Sequence, residues 1–256
     1  MSEMPASSQV TFTDRGQGRP FLLLHGGGGP QTVAAFADLL AAERSARVIT
    51  PTHPGFAGRP RPEALRSVAD LATLYHSLVA ELDLSDVIVV GNSIGGWIAA
   101  EMALQNSSRV SGFVLVDAVG IEVPGHPIAD FFSLTPRQLA ELSYDDPDRF
   151  GIDPTKLPPE ALAAMAGNRA SIAVYAGTAM LDPSLRERLA GVTTPTLVVW
   201  GESDRIADPA YGRTFADAIP GAQFLLLPNT GHLPQIESPG PLLDAVWTFA
   251  GTAGRT

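Results

Sequence analysis

Ser93 stands in Gly91-Asn92-Ser93-Ile94-Gly95-Gly96, between an apolar run, Val87 to Val90, and a segment of helical spacing, Ile94 to Gln105. A hydroxyl in that setting is a candidate nucleophile. Glycines on both sides let the chain turn sharply from strand to helix, so that the serine side chain projects from the carboxyl edge of a sheet. The helix that follows aims its unpaired N-terminal amides at the same point, where an oxyanion would form. A hydroxyl is a weak nucleophile at neutral pH, so the chemistry also requires a base and an acceptor that orients the base. Asp204 lies in Trp200-Gly201-Glu202-Ser203-Asp204-Arg205 and His232 in Thr230-Gly231-His232-Leu233, each just beyond a strand-like run. In a parallel sheet such loops emerge at one edge, which lets chain-distant residues converge.

Other groups compete for these roles. His25 precedes Gly26-Gly27-Gly28-Gly29, and Asp117 ends a strand-like run and is an alternative acid to Asp204. Glu202 and Asp208 are expected to face solvent. The loop His53-Pro54-Gly55-Phe56-Ala57-Gly58-Arg59 is expected to line a pocket edge without doing chemistry. The consecutive glycines are not followed by Lys-Ser/Thr, and no G-x-G-x-x-G sits in a dinucleotide-binding context. No cofactor and no metal are expected, and the absence of cysteine removes a thiol nucleophile, disulfides and thiolate metal sites together.

Positioning these residues requires alternating strands and helices, and the pattern supplies them. Strand-like runs fall at Val10 to Thr13, Phe21 to Leu24, Arg47 to Thr50, Val87 to Val90, Gly112 to Val116, Thr196 to Trp200 and Phe224 to Leu227, with a turn read through Asp14-Arg15-Gly16. Helical spacing appears at Thr32 to Ala42, Ser67 to Leu82 with Ser67 as cap, Ile94 to Gln105, Pro209 to Ile219 and Pro241 to Ala250. The expected fold class is α/β, a mostly parallel central sheet flanked by helices. Between Ile121 and Val192 strands vanish, prolines cluster and helical segments appear at Arg137 to Leu142 and Glu160 to Ala176. The chain therefore divides into a core, residues 1–120 and 193–256, and a helical cap, residues 121–192.

Together, the strand ending in His25-Gly26-Gly27, the elbow around Ser93, the Gly201-Glu202-Ser203-Asp204 loop and Gly231-His232 resemble the α/β-hydrolase family over nearly the whole chain. That resemblance implies Ser93 as nucleophile, Asp204 as acid, His232 as base and the backbone N–H groups of Gly27 and Ile94 as the oxyanion hole. It implies that His25 shapes the glycine loop, and that residues 121–192 form a helical lid inserted after the sixth strand. His25, Gly28, Trp97, Phe131, Phe132 and Leu233 are candidate pocket residues; Trp97 reads first as a packing residue, and Phe131 and Phe132 serve equally to bury the lid on the sheet. Serine at the elbow argues against the haloalkane dehalogenases and epoxide hydrolases, whose nucleophile is a carboxylate. The implied activities are carboxylesterase first, then carbon–carbon bond hydrolase or lactonase. The elbow and the His25 loop look like those of ring-cleavage-product hydrolases, whereas Leu233 stands where that group often carries Trp. Perhydrolase or hydroxynitrile lyase chemistry on the same scaffold, or a ligand sensor without turnover, are further possibilities.

Composition bounds the partners. The 256 residues are 45% hydrophobic and 17% charged, enough for a full core. A net charge of −10 repels phosphate backbones and anionic lipid, so neither nucleic acid nor membrane is an expected partner. The expected partners are a small acyl substrate and water, acting on a monomer or homodimer. Met1 to Gln9 is polar without a basic start or apolar stretch, and the expectation is a cytoplasmic protein.

Overall fold

The computed structural model describes residues 10–253, so the Met1 to Gln9 segment lies outside the described residues. Strands β1 (Phe12–Gly16), β2 (Arg19–Leu24), β3 (Ala46–Pro51), β4 (Val87–Asn92), β5 (Val110–Val116), β6 (Thr196–Gly201) and β7 (Gln223–Leu227) form one sheet. Its order is β1-β3-β2-β4-β5-β6-β7. β1 runs antiparallel to β3, and every other pairing is parallel. Asp14, Arg15 and Gly16, expected as a turn, instead continue β1: they pair with Ile49, Val48 and Arg47, and the Arg47 guanidinium grips Asp14 at 2.7 Å. A polar tripeptide is tolerated there because the strand lies at the sheet edge, where side chains reach water.

The helices are α1 (Gln31–Glu43), α2 (Val68–Glu81), α3 (Ile94–Leu104), α4 (Pro136–Ser143), α5 (Pro147–Phe150), α6 (Pro159–Ala176), α7 (Leu185–Arg188), α8 (Pro209–Asp217), α9 (Pro234–Glu237) and α10 (Pro239–Thr252). Parallel strands require crossovers, and the crossovers cover both faces. On one face α2, α3 and α8 bury Tyr75, Ile98, Tyr211 and Phe215 against the sheet. On the other, α1 and α10 bury Phe36, Leu40, Val246 and Phe249. Central β4 and β6 are buried along their full length, which is why both read as unbroken apolar runs, whereas edge strand β7 alternates between exposed and covered residues. Ser67 caps α2 through a reciprocal bond pair with Asp70.

The helical insertion follows the fifth strand of the described sheet, not the sixth. Only one antiparallel strand precedes β2 among the described residues, so each later strand falls one place earlier than the family pattern implied. The inserted segment leaves at Gly120 and comes back beside it: Gly120 bridges Leu181, and Asp182 N–H donates to Gly120 O at 2.8 Å. Its longest helix, α6, turns one face, Asn168, Ser171, Ile172 and Tyr175, toward the core at helical spacing. Asn168 donates to Gly28 O (3.2 Å) and accepts from Ala57 N–H (2.8 Å). Ser171 donates to Gly55 O and the Tyr175 hydroxyl to Pro54 O. Farther along, Arg188 forms a bidentate pair with buried Glu101, tying the returning chain to α3. Among the described residues no helix is long and apolar enough to cross a membrane.

Candidate active site

Ser93 sits between β4 and α3 with φ 58° and ψ −121°, a left-handed conformation that non-glycine residues rarely adopt. Close packing enforces it. A Cβ on Gly91 would stand 2.1 Å from Gly95 O, and one on Gly95 would stand 2.4 Å from Leu24 O, so larger residues at either place would push the elbow apart. Ser93 N–H donates to Val116 O at 2.9 Å, which pins the elbow to the end of β5.

A continuous hydrogen-bonded chain starts from its hydroxyl. Ser93 Oγ is 2.9 Å from His232 Nε2, and His232 Nδ1 is 2.8 Å from Asp204 Oδ2. The other Asp204 oxygen accepts the N–H groups of Ile206 (2.8 Å) and Ala207 (3.2 Å). With Oδ1 taken up by two backbone amides, Oδ2 is directed at the imidazole, so that Nδ1 carries hydrogen and Nε2 presents a lone pair to the hydroxyl. The His232 loop is clamped from beneath: Asn92 Nδ2 donates to His232 O (2.9 Å), and Gln235 Nε2 donates to Asn92 Oδ1 (3.1 Å). His232 N–H donates to Ser143 O in the inserted segment (2.7 Å). Asn92 and Gln235 carried no signal in the sequence, because their role depends on which carbonyl lies beneath which amide.

The glycine loop passes over the serine. A Cβ on Gly26 would stand 3.2 Å from Ser93 Cβ. Gly26 O accepts from Gly29 N–H at 3.1 Å, which closes a turn through Gly27 and Gly28. Among the described residues, the N–H groups of Gly27 and Ile94 donate to no protein acceptor. Amides without a protein acceptor, Ile94 being next in sequence to Ser93, are donors of the kind an oxyanion needs.

The loop rests on a buried stack that the sequence did not reveal. His25 and His53 are both fully buried, with ring centroids 3.7 Å apart. His25 Nδ1 donates to Gly26 O (2.8 Å), and its Nε2 accepts His53 N–H (3.1 Å). His53 Nε2 donates to His25 O (2.8 Å), and its Nδ1 accepts the Tyr75 hydroxyl. His53, read as belonging to a pocket edge, therefore lies under the glycine loop. Each ring has one donor and one acceptor partner, which fixes two neutral imidazoles. Burial lowers the His53 pKa to about 4 and, together with the neighbouring His53, holds His25 well below the ordinary histidine range.

This neutral pair has a pH consequence. An unfolded histidine protonates near 6.5, whereas the folded pair resists protonation, so the unfolded chain binds more protons and stability falls as pH drops below about 6.5. For His53 the loss continues to about pH 4 and amounts to on the order of 3 kcal/mol. Urea unfolding between pH 7 and pH 4 should show this slope, and His53→Gln should flatten it. An equal slope in the variant would contradict the assignment.

The remaining candidates are placed as follows. Trp97 is buried against Gly120. Gly28 is exposed and its carbonyl is held by Asn168. Leu233 is half-buried at the start of α9. Phe131 and Phe132 pack edge to face at 5.3 Å, with the Arg169 guanidinium over both rings. Phe131 and Ile172 of the inserted segment lie against Gly27, and Ser93 is 9% exposed. A cavity of about 930 Å³ opens between residues 121–133 and 178–181; Phe132 lines it, and Ser93, Asp204 and His232 do not. Glu202 is exposed, whereas Asp208 caps α8 and pairs with His126 at 2.7 Å. Asp117 is fully buried with φ 44°, one oxygen accepting Gly201 N–H at 2.8 Å.

Comparison with known proteins follows the same lines. Lipase 3 of a Moraxella species is 30% identical over 240 residues, 88% of this chain and 75% of its own. The 2-hydroxymuconate semialdehyde hydrolase of Pseudomonas putida is 29% identical over 261 residues, 91% of this chain and 88% of its own. The malate-bound structure of a thermophilic esterase from Thermogutta terrifontis superposes with a TM-score of 0.75 at 25% identity, covering 95% of this chain and 93% of that one. The model of the alpha/beta hydrolase family matches residues 21–245, and with the elbow, the sheet order and the hydrogen-bonded chain from Ser93 to Asp204 in place, the protein belongs to that family.

Proposed function

We propose that this hydrolase cleaves small carboxylic esters through an acyl-enzyme, with Ser93 as nucleophile, His232 as general base and Asp204 as the acid that orients it. The observation that carries this is the unbroken chain Ser93 Oγ to His232 Nε2 and His232 Nδ1 to Asp204 Oδ2, at 2.9 and 2.8 Å. As Ser93 attacks the ester carbonyl, His232 takes the hydroxyl proton, and Asp204 stabilises the resulting imidazolium. The Gly27 and Ile94 amides receive the oxyanion. His232 returns the proton to the departing alcohol, the C–O bond breaks, and water activated by His232 then releases the acid and frees Ser93. The similarity to Lipase 3 and to the Thermogutta esterase supports the choice of ester.

A second reading is hydrolysis of a carbon–carbon bond next to a ketone, favoured by the 29% identity to a 2-hydroxymuconate semialdehyde hydrolase across 91% of the chain. The same serine and histidine would serve it. Initial rates on p-nitrophenyl acetate and butyrate, set beside those on a dienoic ring-cleavage product, separate the two. Ester turnover with an inert dienoate is the expected result; the reverse preference would reassign the enzyme to carbon–carbon cleavage.

A further inference from the structure

Behind the Ser93, His232, Asp204 chain lies a second carboxyl that the mechanism above does not use. Asp117, at the end of β5, is 0% exposed, and Asp204 is 2% exposed. Ligand-type atoms of Asp117, Asp204 and His232 all fall within 4.8 Å of one another. The surroundings of the two carboxyls differ. Asp204 has three donors: the N–H groups of Ile206 and Ala207 and the His232 ring. Asp117 has one, Gly201 N–H on Oδ1, and its buried Oδ2 has no partner.

Two carboxylates this close and this dry cannot both be ionised without a standing cation. Among the described residues the further charge acting on Asp117 is negative, that of Glu237 on α9. Burial first, and then the charge on Asp204, push Asp117 well above the usual carboxylate range. We propose that Asp117 is a neutral acid at the pH of turnover and donates its proton from Oδ2 as a hydrogen bond to Asp204, so that the buried pair presents one negative charge to His232. Such a bond satisfies the orphaned oxygen and converts a repulsion into a charge-assisted hydrogen bond. It makes Asp117 a positioning residue: it steadies the carboxylate that steadies the base. A metal ion in place of the proton is disfavoured, because Gly201, Ile206 and Ala207 each aim an N–H at the oxygens it would need.

The activity arm of the test rests on the proposed function; the spectroscopic arm does not. The infrared difference spectrum of wild type minus Asp117→Asn, at about pH 8, should show the carbonyl stretch of one protonated carboxylic acid, although a free aspartate there is ionised. Asparagine keeps the neutral acid's carbonyl acceptor and puts an N–H donor where the acid has its O–H, so Asp117→Asn should keep kcat/KM within about fivefold of wild type. Asp117→Leu, which loses a hydrogen bond to a charged group, should lower kcat by roughly 10- to 100-fold with little change in KM. Absence of the band, a stoichiometric metal in the purified protein, or an asparagine variant as impaired as the leucine variant would each overturn the proposal. Should the leucine variant fail to fold, the band and the asparagine variant still decide. A wild type that turns over no ester would defeat the function and leave the band to decide the proton.

Discussion

Ser93→Ala is expected to lower kcat for p-nitrophenyl butyrate by on the order of a millionfold, with the fold unchanged. The size follows from what the hydroxyl does. Without Oγ the proposed acyl-enzyme cannot form, and what survives is the attack of water on a carbonyl bound at the proposed oxyanion amides, a residual catalysis of roughly a thousandfold over solution. The fold should survive because the elbow is held by backbone: Ser93 N–H to Val116 O, Trp97 N–H to Ser93 O, and the close approach of Gly95 to Leu24. Circular dichroism and the urea midpoint of the variant check the second half, and steady-state rates the first.

His232→Ala should cost about as much, and the double variant Ser93→Ala with His232→Ala should be no slower than either single one. Groups that act as one unit are not additive: once the base is gone the hydroxyl contributes nothing, and once the hydroxyl is gone the base has no proton to take. Multiplied losses in the double variant would mean that the 2.9 Å contact between Ser93 and His232 does not describe a working pair. Measuring all three variants under one set of conditions, with the enzyme in excess where turnover is slow, gives the comparison directly.

Much of this arrangement was legible before any coordinates. Fully buried strands leave unbroken apolar runs, and β4 and β6 were found for that reason; the loops after β6 and β7 then placed Asp204 and His232 at the edge where Ser93 emerges. Asp117 competes with Asp204 in the sequence because both follow strands of the same sheet, and the Gly201-Glu202-Ser203-Asp204 context favours Asp204. The choice turns on which oxygen meets the imidazole, and that is Asp204 Oδ2. Edge structure was less legible: Asp14 to Gly16 carry the composition of a turn, yet pair with β3 through backbone bonds that no side chain announces. Least legible was what lies under and over the serine. The His25, His53 and Tyr75 stack joins residues from three separate segments, and the approach of Phe131 and Ile172 to Gly27 depends on how a proline-rich segment returns to Gly120. Apolar side chains in such a segment face a pocket or a core with equal ease.

Reaction of the purified protein with a fluorophosphonate, followed by intact mass and peptide mapping, tests the central claim most directly, because the reagent phosphonylates a hydroxyl only where a base and an oxyanion site activate it. One adduct per chain, on Ser93, abolished in His232→Ala, is the predicted result. An unlabelled protein, or labelling at another residue with Ser93 untouched, would contradict it.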